Sequence, residues 1–509
     1  MKSMGRKTIY TSETDLNTLE NVVKVLNYAL SIHRDNVDDM NWLIDYYLGK
    51  QPILNKQKKI REDINNKTVI NLANAAVRDV KGYTFGQPVT YISRTMKNQD
   101  ELALLNDANE FENKTTVDSD VAEYMLITGV GYRATFPEKV ESPDEQPFLY
   151  ACLDPRNAFI VRSTSMGNKP VMAVIIEHTV NVSDIPGGTS NSVIYNVFTK
   201  NKKYVFKTSE GIGVANISVS DYVSPEQGGY VDLQVLNTLP IEEFSCNLWK
   251  LGFFETVISV LDSLNLVASD TLDDIEQKVR SKLILLGVDP AQLEEKTLDD
   301  KGNVTSTFAD SIRDSEVIAF TGQAGINQDA KFVNNVLEYA GVGEYRDWLE
   351  SMYYYLLGLP ERRTRGNGGG DTGHAVELRD GWASLETVAR NIENRWEASE
   401  RNSIKRVLEI LRTKKKIKNL TVTDIDIKFS RNKLDNLQSK VQSGQIMAAM
   451  KMFDPVDVAS IMNISTDPQG MVERGAKYWE GKEVIEPVVQ VDNTEPDDNT
   501  NDILPKEEE

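Results

Sequence analysis

Three stretches of this chain repeat apolar residues at spacings of three and four over lengths that a compact globule seldom uses. In the first, Phe254, Val257, Ile258, Leu261, Leu264, Ala268, Leu272, Ile275, Val279 and Leu283 predict a helix over 252–284, about 45 Å long at 1.5 Å per residue. The second pattern covers 329–358, with the AGVG at 340–343 as a point where it is interrupted. The third runs over 374–412, and its stripe is Trp382, Leu385, Ala389, Ile392, Trp396, Ile404, Val407, Leu408 and Leu411. Straight, it would span about 58 Å. Helices average about 11–12 residues, so three successive ones of this length suit a coiled coil, a bundle or an assembly of several copies.

The remainder mixes both periods. Residues 15–50 read as helix, with Leu19, Val22, Val23, Leu26 and Leu30 in a first segment and Trp42, Leu43 and Tyr46 in a second, short one. A helix at 69–82, a strand in FGQPVTYISR and one further helix from Gln99 to Thr128 follow. From Gly129 to Pro240 the runs VGYRATF, FLYACLD, AFIVRS, PVMAVIIEHTV, SVIYNVFTK, KKYVFKT and YVDLQVLNTLP are divided by turn-rich SDIPGGTSN and SPEQGG, which predicts a mainly antiparallel sheet domain. EVIAFTG and residues 420–429 read as strands, and 431–481 as three shorter helices with Asp or Asp-Pro starts. The tail from Glu483 is acidic and punctuated by proline, the composition of a disordered segment. No internal repeat of 20–50 residues is visible. The fold class is therefore α+β, and 509 residues leave room for several domains.

A net charge of −20 argues against a protein that coats nucleic acid, because such binding neutralises phosphates with Lys and Arg. It leaves open a protein that encloses DNA without gripping it. Cys152 and Cys246 stand far apart and in no CxxC, so neither a disulfide framework nor a zinc site is expected, and a reducing compartment is the simplest setting. The first residues contain no apolar signal core. No run approaches the roughly 18 apolar residues of a membrane helix, which points to a protein made in a cytoplasm and without a membrane span.

The stretch RRTRGNGGGDTGH, Arg362 to His374, places Arg362, Arg363 and Arg365 before Gly366, Asn367, Gly368, Gly369 and Gly370. It is not a nucleotide site of the P-loop kind, since it has neither the lysine nor the following hydroxyl that such a site needs. Nor does a β-rich run precede it, as a dinucleotide-binding turn requires. Its glycines suit a mobile connector. Its arginines could reach phosphate oxygens or pair with acids on neighbouring helices. The histidines, His33, His178 and His374, fall in different segments and offer little to a metal site or a triad. Asp270, Asp273, Asp274 and Glu276 could be metal-binding carboxylates, but on a helix pattern a solvated acidic face is the better reading. Met352 to Leu357 is apolar around most of its helix, as in a core or between subunits.

The order of these parts resembles the portal, or head-to-tail connector, proteins of tailed double-stranded DNA bacteriophages, in particular those of long-tailed phages of Gram-positive hosts. The pieces that carry the resemblance are VINLANAAVRDVKGYTFGQPVTYIS, LDPRNAFIV, VMAVIIEHTV, ETVISVLDSLNLVASDTLDDIEQKVRSKLILLG, YLLGLPE, HAVELRDGWASLETVARN and DIDIKFSRN. None is a sharp catalytic motif; their order and spacing make the match. The resemblance implies a phage portal fold: an N-terminal arm and α/β wing over 1–251, stem helices at 252–284 and 329–358, and a small α/β clip at 285–328. It further implies a tunnel loop at 359–373, a long wing helix and strand over 374–430, an α-helical crown at 431–481 and an acidic tail at 482–509. Arg362 to Gly370 then fall in the channel-facing loop, and the acids from Asp270 to Glu276 on the stem surface. By the same resemblance, the protein would be a ring, typically of twelve copies, at one capsid vertex of the virion. Its partners would be the terminase large subunit, a head-completion adaptor, the major capsid and scaffolding proteins and double-stranded DNA in the channel. No cofactor, metal or catalysis is implied. The alternatives are another head-tail connector or minor capsid component, or a nuclease or NTPase of the packaging apparatus.

Overall fold

The computed structural model describes residues 4–12, 16–58, 62–94, 98–142, 145–182, 189–200, 202–208, 216–224, 238–279, 283–286, 297–298, 304–306, 317–320, 329–332, 339–361, 382–414, 416–431, 437–449, 454–462 and 468–480. The chain divides into two units, Met1–Asn432 and Lys433–Glu509. In chain order the first opens with β1 (Ile9–Thr11), α1 (Leu19–Tyr47), α2 (Leu72–Phe85), β2 (Val89–Ser93), α3 (Gln99–Phe111) and α4 (Lys114–Thr128). Strands β3 (Val130–Pro137), β4 (Phe148–Leu153), β5 (Ala158–Ser163), β6 (Pro170–Val182), β7 (Thr189–Thr199), β8 (Lys203–Thr208) and β9 (Ile241–Ser245) follow. Then come α5 (Ile258–Val279), β10 (Leu283–Leu286), β11 (Thr297–Leu298), β12 (Val304–Ser306), β13 (Val317–Phe320), β14 (Asp329–Phe332), α6 (Tyr339–Leu357), α7 (Trp382–Thr413) and β15 (Ile425–Phe429). The second unit holds α8 (Leu437–Ala449), α9 (Pro455–Met462) and α10 (Pro468–Trp479), in which α9 packs against both others.

α1 is one continuous helix where the sequence suggests two, because a buried stripe from Val22 through Ala29 resumes at Met40, Leu43 and Tyr46 without a breaker between. Its first half covers a five-stranded sheet of order β1-β5-β6-β7-β8, antiparallel except for the parallel β1–β5 pair. Period-two alternation splits β6 between two cores. Met172, Val174 and Ile176 join Val22, Leu26 and Ala29 of α1, while Ala173 and Ile175 join Val130, Tyr132 and Ile241 of a second sheet, of order β4-β3-β9. Covered on both faces, β6 reads as a nearly unbroken apolar run. The β-rich region is thus two sheets rather than one, and most of YVDLQVLNTLP lies outside the described residues.

The helix expected from Gln99 to Thr128 is two. Asn113 takes a left-handed φ of 50° between α3 and α4, which ends one helix and starts the next, and Asn tolerates this conformation better than most residues. The stem patterns are shorter than their periodicity suggests. Leu283 does not extend α5: it begins β10, which pairs in parallel with β13 and antiparallel with β14. Residues 329–332, expected as helix, are β14, and the AGVG at 340–343 lies in the first turn of α6, which begins at Tyr339. α5 and α6 pack against one another. Residues 374–381 lie outside the described residues, and α7 begins at Trp382. Its stripe meets the main core at Trp396, whose ring centroid lies 4.4 Å from that of Phe85 and 4.1 Å from that of Phe244.

Candidate functional site

The acids Asp270, Asp273, Asp274 and Glu276 ride on α5 beside a buried polar stripe. Asn265 and Ser269 are wholly buried and Asp273 is 3 % exposed, so the reading of these carboxylates as one solvated face is wrong for Asp273. The cover is the segment between α1 and α2, which lies along α5 as a strap. Ile70 N donates to Asn265 Oδ1 (2.7 Å), Thr68 N to Ser269 Oγ (2.9 Å) and Asn66 N to Asp273 Oδ1 (2.6 Å). The match is geometric: alternate residues of an extended chain are about 6.6 Å apart and every fourth helical residue about 6 Å. Lys56 Nζ reaches Asp270 (2.6 Å) and Asp273 (2.9 Å), and Lys58 Nζ pairs with Asp273 as well. Burial acts to raise the Asp273 carboxyl, but Lys58, the Asn66 N–H and Lys56 hold it well below the usual carboxylate range. Glu276 accepts from Asn66 Nδ2 (3.0 Å), and Asp274 is half-buried. Among the described residues no three His, Cys, Asp or Glu side chains are grouped as metal ligands.

Both helices of the pair are tied to the ends of α1 and α2. Tyr46 Oη donates to Asp262 of α5 (2.9 Å), and Tyr353 Oη of α6 donates to the Leu72 carbonyl (2.6 Å). The apolar run Met352–Leu357 divides by face. Tyr353, Tyr354 and Leu357 enter the core, while Tyr355 and Leu356 are exposed.

Arg362, Arg363, Arg365, Gly366, Asn367, Gly368, Gly369 and Gly370 lie outside the described residues, as do all of 362–381, but the helices α6 and α7 that flank them are described. α6 stops at Gly358, whose φ of +66° favours glycine. Leu359 N donates to Tyr354 O (2.9 Å) and Gly358 N to Tyr355 O (3.2 Å), the paired bonds of a Schellman stop. A Cβ at Gly358 would sit 3.1 Å from Val388 Cγ2 and 3.7 Å from Ser384 Cβ, so the end of α6 touches the first turns of α7. The described chain on either side of residues 362–381 thus meets at one base, Gly358 against Val388. The α7 side of that base is held by Glu386, which accepts from Tyr83 Oη (2.8 Å) and pairs with Arg431 (2.7 Å).

Deeper along α7 a charged cluster is sealed from water. Arg133 of β3, with no exposed surface, pairs with Asp118 of α4 and with Glu400 of α7 (2.8 Å). Lys114 pairs with Asp118 and with Glu400 (3.0 Å), and Tyr91 and Trp396 also donate to Glu400. Burial would raise the Glu400 carboxyl, but Arg133 and Lys114 reverse this and keep it ionised well below its ordinary range. The cluster locks α7 to α4 and β3. Sequence reasoning passes over it, because the four charges are scattered from 114 to 400 and only the fold brings them together.

Comparison with curated proteins finds no match. Among the solved structures that resemble the chain, two are remote in sequence. One, described as "Virion of native gene transfer agent (GTA) particle", is 12 % identical over 84 % of this chain and 94 % of its own, with a TM-score of 0.37. The other, "Neck of empty GTA particle computed with C6 symmetry", is 11 % identical over 77 % and 90 %, with a TM-score of 0.36. The family described as "Phage portal protein, SPP1 Gp6-like" matches residues 26–477, which takes in β2 to β15, the strap, α5, α6, α7 and all but the last two residues of the helices of the second unit. The chain belongs to this phage portal protein family.

Proposed function

We propose that this portal protein assembles as a homo-oligomeric ring of about twelve copies at one vertex of the capsid of a long-tailed phage with a Gram-positive host. The observation that carries the reading is the family match over residues 26–477. On this reading the ring is a conduit, not an enzyme: a separate terminase drives DNA inward through it, DNA leaves through it at infection, and the tail joins below it. The wing is 1–251 with 374–430, and the stem is the pair α5 and α6. The clip is 285–328, which would meet the terminase large subunit and later a head-completion adaptor. The crown at 431–481 faces packaged DNA, and the wing faces the major capsid and scaffolding proteins. The loop from 359 to 373, on its base at Gly358 and Val388, projects into the channel.

Charge supports a sliding contact. A chain of net charge −20, copied around a ring, repels a DNA backbone rather than binding it by counterion release, which suits a duplex that must move in both directions. A closed ring also needs heterologous interfaces, for which long helices with separate faces are suited. Electron microscopy of the purified protein viewed end-on is the test. A closed ring with a narrower stem is expected, and a protein that remains monomeric by mass photometry across salts and concentrations would overturn the reading.

A further inference from the structure

α6 carries two apolar stripes, and the fold of one chain covers only the first. Leu349, Tyr353 and Leu357, spaced by four, are buried, and the last two join the main core. Tyr345, Trp348, Met352 and Tyr355 follow one another at spacings of three and four, with Leu356 beside them, and so share a second face of the same helix. On that face Tyr345 is 49 % exposed, Trp348 53 %, Leu356 54 % and Tyr355 78 %, and Met352 is half-buried. The Tyr345 and Trp348 rings stack with centroids 5.8 Å apart, which extends the aromatic surface along the helix. Among the described residues no other helix or strand exposes as many large apolar side chains. Together they leave about 500 Å² of apolar surface in water, at the upper end of what a monomer shows and more than half of one side of a standard interface.

We propose that this aromatic stripe is buried against the next copy of the chain, as one side of the junction between adjacent subunits. The inference rests on the ring reading above and names the residues that would hold the ring closed. A second copy is the occupant that the helix pair itself suits. A two-fold dimer needs one face that matches itself, whereas a ring needs two unlike faces on every copy. α5, which packs against α6, shows an unlike apolar set in the aliphatic Leu266, Leu272 and Ile275, all exposed. DNA is the poorer occupant, because Glu344, Asp347 and Glu350 share α6 with the single cation Arg346, and a phosphate backbone would meet that acidic balance.

The test compares full-length wild type with Trp348→Ala/Tyr355→Ala and, as a control at exposed apolar residues of α3, Leu104→Ala/Phe111→Ala. Mass photometry and electron microscopy read the assembly of each. Wild type and the control should form rings. The α6 variant should stay monomeric or need at least about 30-fold more protein to assemble, the loss expected on truncating an aromatic at the centre of an interface. Rings from the α6 variant at the wild-type concentration would overturn the proposal, as would an equal loss in the control. A wild type that never forms rings would overturn the ring reading, and this inference with it. Hydroxyl-radical labelling of the wild-type ring needs no variant and decides even if the α6 variant fails to fold. Trp348 and Tyr355 should react at least about tenfold more slowly in the ring than in the urea-unfolded chain, because the core of an interface excludes water. Reaction at close to the unfolded rate would refute the junction.

Discussion

Asn66 donates its backbone N–H to Asp273 Oδ1 over 2.6 Å, the last of three rungs by which an extended strap is bonded to one stripe of α5. Removing Asp273 would strand that N–H and the two lysines that converge on the carboxylate. Asp273→Ala should cost about 2 kcal/mol, less than a fully buried pair because Lys56 and Lys58 keep some access to water. Asp270→Ala, at an exposed carboxylate, should cost less than about 0.5 kcal/mol. Urea unfolding of both variants gives the comparison. Hydrogen exchange should quicken at Asn66 and Thr68 in Asp273→Ala alone, and equal effects of the two substitutions would refute the ladder.

Glu400 is the acceptor on which Arg133, Lys114, Tyr91 and Trp396 converge. Glu400→Gln keeps the shape and removes the charge, leaving two buried cations to share Asp118. A loss of about 3 kcal/mol is expected, measured as a lower midpoint of thermal unfolding. Glu397→Gln, one turn away and half-buried beside Arg401 at the surface, is the control and should change little.

Gly358 combines a φ of +66° with a close approach to Val388. Gly358→Ala should cost about 1–2 kcal/mol through the backbone alone. Adding Val388→Ala separates strain from crowding: the double variant should remain as unstable as the sum of the two single changes. Recovery of stability in the double variant would assign the effect to crowding.

His33 and Glu243 each make stability sensitive to acid. Burial pushes His33 down from 6.5 to about 4, so the unfolded chain takes up this proton first. The stability held in the neutral ring is whole above pH 6.5 and is lost as pH falls towards 4, on the order of 3 kcal/mol in all. Glu243 is buried, yet Lys250 and Arg162 hold it down to about 2 from 4.5. Its contribution is intact above pH 4.5 and is lost as pH falls towards 2. Glu242, which burial pushes up to about 8, acts in the opposite sense over the same range, so the His33 contribution is read as a difference: from pH 7 to 4 wild type should lose on the order of 3 kcal/mol relative to His33→Phe, and parallel profiles would contradict the assignment.

Arg362, Arg363 and Arg365 belong to the segment proposed above as the tunnel loop. If they touch DNA in transit, replacing all three with serine should leave ring assembly intact while lowering packaging rate or packaged length. Unchanged packaging would instead favour pairing with neighbouring acids.

Element types were largely legible: burial on one side imposes a period of 3.6 on α1, α2, α5 and α7 and of two on β8, while β6, covered on both faces, shows as an apolar run between turn signals. Boundaries were not. Leu283 fits the 3/4 stripe of α5, yet it begins a strand, since local periodicity cannot see that β13 and β14 flank it. Likewise AGVG looks like a break inside one long helix, whereas it lies in the first turn of α6, and the earlier part of that pattern includes the strand β14.

By itself the sequence determined the run of helical and β-rich segments, the acidic balance, the absence of a nucleotide-binding signature in RRTRGNGGGDTGH, and an order of parts sufficient for the portal resemblance. Only the tertiary structure decided which charges are buried. Asp273 and Asp270 lie three residues apart on one acidic stretch, yet one is enclosed by the strap and the other meets water. The reason is physical: periodicity records which face of a helix is apolar, whereas the burial of a polar side chain depends on a partner that arrives from elsewhere in the chain, as Asn66 does for Asp273 and Arg133 for Glu400.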